Sequence, residues 1–217
     1  SGQVLERNLF GMGYQLGFKG TISAKSADYT TTFWNPHYDD TDLGVGVSVY
    51  NNVTEYSKYD KQAMGARLLF GYPLGEYTNL NWNYRLERYV IEDIEDDANK
   101  VIKDMEGTNW ASALYVSAKR DTTDKRINPT KGGTQQLSVE YGGGLIGGDD
   151  NFVKYIGDVS QYYPLFLGTI FHGHAQMGYV MKNGSDDIPA FERFYLGGMN
   201  SVRGYEERTI SPLYDSE

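Results

Sequence analysis

The chain has 217 residues, a formal net charge of -9 and no cysteine. The length fits one domain. The acidic balance argues against a nucleic-acid partner, because phosphate binding needs clustered lysine and arginine, and the missing thiols exclude disulfide staples and thiolate metal sites. No apolar run reaches the length of about 18 residues that a membrane-spanning helix needs, and nothing reads as a signal peptide. The 26 glycines and 19 tyrosines speak against a helical core. Ser1–Asn8 reads as the tail of an earlier element, so the chain is expected to be part of a longer one.

Along the chain the dominant period is two, which predicts strands near 9–22, 27–35, 42–51, 61–72, 78–91, 109–120, 133–144, 152–164 and 168–182. The first has Met12, Tyr14, Leu16 and Phe18 on one face. Leu43, Val45, Val47 and Val49 alternate with Gly44, Gly46, Ser48 and Tyr50, and Met64, Ala66, Leu68, Phe70 and Tyr72 form another apolar face. The pattern is clearest where Leu80, Trp82, Tyr84 and Leu86 alternate with Asn81, Asn83, Arg85 and Glu87. Leu137, Val139 and Tyr141 follow, and then Phe171, Ala175, Met177, Tyr179 and Met181 opposite His172, His174 and Gln176. Each strand runs to about ten residues, long for a soluble sheet and suited to a tilted bilayer crossing.

A soluble β-sandwich would alternate in the same way with its apolar face inward. Two further features favour the membrane. Phe33, Trp34, Tyr72, Tyr89, Trp110, Tyr162 and Tyr163 gather near strand ends, as interfacial girdles do. The connections also alternate. Those near 35–42, 72–78 and 164–168 are short, with Pro36, Pro73 and Pro164 ending their strands, and 120–133 is somewhat longer but rich in turn formers. The connections at 51–61, 91–109 and 144–152 and everything after 182 form the other side, and short turns opposite long loops is the asymmetry of outer-membrane barrels. Within 91–109, Ile94, Ala98, Val101, Ile102 and Met105 fall at helical spacing and predict a short amphipathic helix.

Several motifs resemble one family. Leu9-Phe10-Gly11-Met12-Gly13 is similar to an "LGTG" strand opening, Asn35-Pro36-His37-Tyr38 to an "NPYF" turn, and Asn128 to Gly133 to a "PTdG" turn. Gly147 to Leu165 looks like the strand pair that follows. The most specific match is Phe194-Tyr195-Leu196-Gly197-Gly198 with Val202-Arg203-Gly204-Tyr205, which is similar to an "FyaGG…VRGF" signature with tyrosine for the final phenylalanine. Together they resemble the barrel of BamA-type outer-membrane assembly factors. The resemblance implies an all-β, antiparallel transmembrane β-barrel over 1–217, carrying roughly nine of sixteen strands and the start of an inward-folded signature loop at 183–217. The missing strands would include the closing one and the acidic residues that meet the signature arginine.

The function implied is non-enzymatic folding and insertion of β-barrel proteins in the outer membrane of a Gram-negative bacterium. The implied partners are the lipid bilayer, client barrel proteins and accessory lipoproteins, with no cofactor and no nucleic acid. A TamA-type factor or two-partner-secretion transporter on the same scaffold, or a passive porin-like channel, is the alternative reading.

The expected site is the loop. Val202, Arg203, Gly204 and Tyr205 would form a lock in which the guanidinium meets carboxylates inside the barrel, and Gly197 and Gly198 would let the loop turn. Glu87 and Glu140 are inward-facing candidates within this chain, while the resemblance places the family's acceptors in strands outside it. His172 and His174 share a strand face but lack an apparent third metal ligand, and a barrel enzyme would need a Ser–His pair, for which no serine neighbour stands out. The acidic run Glu92–Asp97 lacks the ligand spacing of a calcium loop and reads as solvated.

Overall fold

The computed structural model describes residues 1–96, 98, 100–184, 187–196 and 203–205. Ten antiparallel strands form one sheet in sequence order, each paired with its chain neighbours. They are β1 (Gly2–Leu9), β2 (Tyr14–Ile22), β3 (Ser26–Asn35), β4 (Gly44–Glu55), β5 (Asp60–Pro73), β6 (Thr78–Glu92), β7 (Gly107–Asp121), β8 (Gly132–Gly142), β9 (Phe152–Pro164) and β10 (Ile170–Lys182). Among the described residues the one α-helical segment, α1, is a single turn at Lys100–Lys103, inside the loop where the sequence predicts a helix. No described helix is long and apolar enough to cross a membrane, so any crossing is made by strands.

The sheet has one strand more than the sequence predicts. Ser1–Asn8, read as a tail, contains most of β1, and the predicted strand 9–22 begins at Tyr14. A tight turn separates the two: the Asn8 carbonyl accepts the Gly11 amide at 3.0 Å, and Asn8 Oδ1 accepts that of Gly13 at 2.8 Å. Met12 keeps the parity of Tyr14, Leu16 and Phe18, so the alternation runs through the turn without a break.

Register sorts the side chains into two solvents. Tyr50, Gly65, Glu87 and Ala111 lie in one row across β4 to β7, and Ser48, Arg67, Arg85 and Ala113 in the next. Tyr115 extends this face to Glu140 of β8 and then Lys154 of β9. The opposite face carries Val47, Leu68, Leu86, Leu137 and Met177, all exposed. An apolar face left bare while charges are buried on the other inverts a water-soluble sheet and fits a wall between lipid and an aqueous lumen.

Successive connections fall at opposite ends. The turns after β1, β3, β5, β7 and β9 share one end. The longer 93–106 and 143–151 segments share the other, together with the loop after β10 and the short β2–β3 and β4–β5 links. At that loop end Tyr59, Ala63, Tyr89, Ile91 and Ala111 form an apolar cluster on the lumen face. Ile94, Ile102 and Met105, which the helical pattern singles out, pack against it. At the other end Trp34 lies flat over Gly44 and Gly46. A Cβ on Gly46 would sit 2.5 Å from the Phe33 carbonyl oxygen and 2.7 Å from the Trp34 ring. Gly46→Val is therefore expected to destabilise the barrel by about 1–3 kcal/mol through overpacking. Val47→Ile, one residue on but facing outward, should be nearly silent. Urea unfolding followed by the electrophoretic shift of the heat-modifiable barrel compares the two.

Candidate functional site

The loop after β10 turns back onto the lumen face, and Glu192 is its point of attachment. It ends a short 3-10 turn, Ala190–Glu192, and only 8 % of its surface remains exposed. Its carboxylate bonds Lys154 Nζ of β9 through one oxygen and Arg85 Nη2 of β6, at 3.3 Å, through the other. Arg85 also donates to Glu140 of β8 at 2.9 Å and lies 3.7 Å from Glu87 on its own strand. Lys61 of β5 donates to Glu87 at 3.0 Å, and the Tyr50 hydroxyl donates to the other Glu87 oxygen at 2.5 Å. Arg85 and Glu87 are two residues apart on one strand, so the pleat points both into the lumen.

Two phenylalanines flank the carboxylate. Phe191 meets Tyr89 edge to face at 5.2 Å, and Lys61 Nζ sits 3.6 Å from its ring centre. Phe194 lies against Gly178 of β10, where any Cβ would come within 2.5 Å of the ring. Arg193, between them, donates from Nε to the Ile188 carbonyl at 2.9 Å. The loop is thus held by one buried acid, two aromatic rings and its own backbone.

A second assembly lies nearby. Asp150, in the β8–β9 loop, is 4 % exposed and accepts the Tyr89 hydroxyl at 2.5 Å through Oδ1, while Oδ2 has no hydrogen-bond partner among the described residues. Its neighbour Asp149 caps the free edge of β7. The Asp149 amide donates to the Trp110 carbonyl at 2.7 Å, and Asp149 Oδ2 accepts the Trp110 amide at 2.7 Å. Tyr89, Asp149 and Asp150 border a cavity of about 700 Å³ that also touches Val101, Met105 and Lys182.

A model of the Omp85 superfamily domain matches residues 8–216. The chain belongs to the Omp85 superfamily. It is 43% identical over 212 residues to the outer membrane protein assembly factor BamA of Nitratidesulfovibrio vulgaris, covering 98% of this chain and 27% of that protein. Identity is 25% to BamA of Neisseria meningitidis, with 99% and 29% covered. It is 23% to the sorting and assembly machinery component 50 homolog of Mus musculus, with 97% and 45% covered. The chain therefore spans between about a quarter and a half of the length of these relatives. Its backbone matches the crystal structure of BamA from Haemophilus ducreyi lacking POTRA domains 1–3 with a TM-score of 0.87 at 18% identity, covering 97% of this chain and 43% of that one. The ten strands are accordingly part of an Omp85 barrel.

Against this Omp85 frame the expected lock residues are only partly placed. Arg203, Gly204 and Tyr205 are exposed, and among the described residues no carboxylate lies within ion-pair distance of Arg203. Val202, Gly197 and Gly198 lie outside the described residues. Glu87 and Glu140, the candidates within this chain, are engaged by Lys61 and Arg85. His172 and His174 both face the lumen, but His172 does have a serine neighbour. Its Nε2 is 2.7 Å from Ser160 Oγ, and its ring stacks on Tyr162. The carboxylate of Asp158 contacts His174 instead, at 2.8 Å, so no one imidazole bridges a serine and an acid. Among the described residues no three His, Asp or Glu side chains converge as metal ligands.

Sequence reasoning missed Glu192, Lys154 and Asp150. Available signals were the inward charges Arg85, Glu140 and Lys154 on strands otherwise read as lumen walls, since buried charge needs partners. Glu192→Ala strips one carboxylate from Arg85 and Lys154 and should cost about 3–5 kcal/mol of loop docking. Limited proteolysis between 183 and 196 should then accelerate, and the Glu192→Ala, Lys154→Ala pair should be less damaging than the sum of its parts. Burial pushes the Asp150 carboxyl up to about 6, against the Tyr89 hydroxyl bond, which lowers it. Its charged form is thus disfavoured when the loop is docked. Docking is unaffected below the ordinary carboxylate range and weakens as pH rises from there through about 6. Hydrogen exchange at the Trp110 and Asp149 amides should be slower at pH 5 than at pH 8 after correction for intrinsic rates, and Asp150→Asn should remove the difference.

Proposed function

We propose that this chain is the inner part of the barrel of a BamA-type assembly factor, which folds and inserts β-barrel proteins into the bacterial outer membrane. The observation that carries the reading is the similarity to BamA across nearly the whole chain. The physical role is not bond chemistry. An insertase must offer backbone hydrogen-bonding edges to an incoming strand while the rest of its wall stays closed. The strands from β2 to β9 are each paired on both sides, which makes them the fixed frame, with the separable seam outside them. Clients would be outer-membrane β-barrel proteins, with accessory lipoproteins as further partners.

The loop held by Glu192 favours this reading over a passive porin. A porin needs an open lumen, whereas here a peptide segment crosses the lumen face and satisfies its charges. A TamA-type relative on the same scaffold remains the alternative within the superfamily. On the proposed reading Arg203, flanked by Val202, Gly204 and Tyr205, is the second attachment of the loop, after a turn at Gly197 and Gly198. Its acceptor is a carboxylate beyond the strands of this chain. Arg203→Ala in the full-length gene should lower the steady-state levels of other outer-membrane β-barrel proteins while the variant itself accumulates normally. Unchanged client levels at normal variant abundance would remove the lock from the mechanism.

A further inference from the structure

We infer that the β9–β10 turn, Leu165–Thr169, is a lipid-contact element seated at the boundary between headgroups and acyl chains of the leaflet on the turn side. The inference rests on the membrane reading of the barrel and adds a site to it. Three consecutive apolar side chains stand out from this turn, with Leu165 51% exposed, Phe166 78% and Leu167 93%. Leu167 has a φ of 56°, a left-handed conformation that leucine resists and that glycine or asparagine would adopt freely. A large apolar residue at that position is therefore not what the turn itself asks for.

The patch continues a surface already facing lipid. On β8 the outward apolar run is Leu137, Val139 and Tyr141, and towards the turn it gives way to Gln135. Gln135 pairs with the apolar Val159 of β9, and beyond Gln161, which also points outward, Tyr163 and Phe171 carry the apolar face on to the turn. This descent from strand to strand is what tilted strands require if the apolar band is to stay level in the membrane. From Val159 to Met181 there is no Asp, Glu, Lys or Arg, in a chain in which 23% of residues are charged.

Some of the turn's polar groups are satisfied within the turn, which lowers the cost of leaving water at the boundary. The Leu165 amide donates to the Thr169 carbonyl at 2.8 Å, and the Thr169 amide to the Phe166 carbonyl at 3.2 Å. The Thr169 hydroxyl donates to that same carbonyl at 2.7 Å. The three middle turns of the same end differ. They carry Asp39, Asp40 and Asp42, then Glu76, then Asp124, Lys125 and Arg126, and they belong in water. A protein partner would normally be read through charge or unpaired hydrogen-bonding groups, and this turn offers neither among its side chains.

The test uses full-length protein freed of native cysteines and reconstituted in phosphatidylethanolamine–phosphatidylglycerol vesicles. Single cysteines at Leu167, at Asp39 as the aqueous reference and at Leu137 as the lipid reference carry an environment-sensitive fluorophore. A probe at Leu165 substitutes if Leu167→Cys fails to fold. The fluorophore at 167 is expected to be quenched several-fold more than that at 39 by lipid-borne nitroxide, and to be shielded from iodide. Quenching like that at 39, with 137 still lipid-quenched, overturns the proposal, and so does shielding from both quenchers, which would mean that protein covers the turn. Should 137 also respond to iodide alone, the membrane reading itself falls.

Discussion

The organisation of the lumen depends on one guanidinium that cannot lose its charge. Arg85 is nearly buried, with 12% of its side chain exposed, and faces Glu87, Glu140 and Glu192 from three different segments. An arginine in that position must be paired, because the cost of desolvating it is recovered only through close carboxylates. Two of its partners come from the wall. The third comes from the loop. Around it Lys61, Arg85 and Lys154 set three cations against the three carboxylates of Glu87, Glu140 and Glu192. Arg67 adds a further cation beside Arg85 in the same row, so undocking the loop would take a carboxylate from a wall already rich in cations, and loop position and wall electrostatics are one problem.

The rings beside Glu192 turn that charge balance into a defined geometry. A lone carboxylate could approach Lys154 and Arg85 from many directions. Phe191 wedged between Lys61 and Tyr89, and Phe194 seated over Gly178, leave one approach. The same Tyr89 bonds Asp150, so the β8–β9 loop and the loop after β10 share a contact residue. Because Tyr89 is almost wholly buried, a shift of its ring would disturb both loops together. The loop end of the barrel is thus knit through side chains on β6, while at the turn end each hairpin is closed by its own local backbone and side-chain hydrogen bonds.

The strand faces were legible because two solvents act on one period. Val47, Leu68, Leu86 and Leu137 lie outward, and Arg85, Glu87 and Glu140 inward, as alternation alone requires. The first hairpin was hidden for the same reason: Met12, in the turn, happens to keep the parity of the strand after it. The site was less legible. A glutamate between two phenylalanines in a glycine-rich segment reads as exposed, since nothing local says that cations wait on β6 and β9. Glu87 and Glu140 were legible as inward carboxylates, but their partners were not: the register sets Arg85 two residues from Glu87 on the same strand and within reach of Glu140.

The pairing of Glu87 and Glu140 with Lys61 and Arg85 bears on what the loop can do. Glu192 and Arg203 carry opposite charges on one segment, and the wall carboxylates beside Glu192, those of Glu87 and Glu140, are already held by Lys61 and Arg85. A second attachment through Arg203 would therefore reach a different part of the barrel wall from the first. Two attachments of opposite sign, on separate parts of the wall, would make the loop a strut across the lumen, tying the fixed strands to whatever wall receives the arginine. A strut of that kind resists changes in barrel width. Weakening either end would leave the strands paired but let the wall flex, which is the property a barrel needs if one of its seams is to open while the others hold.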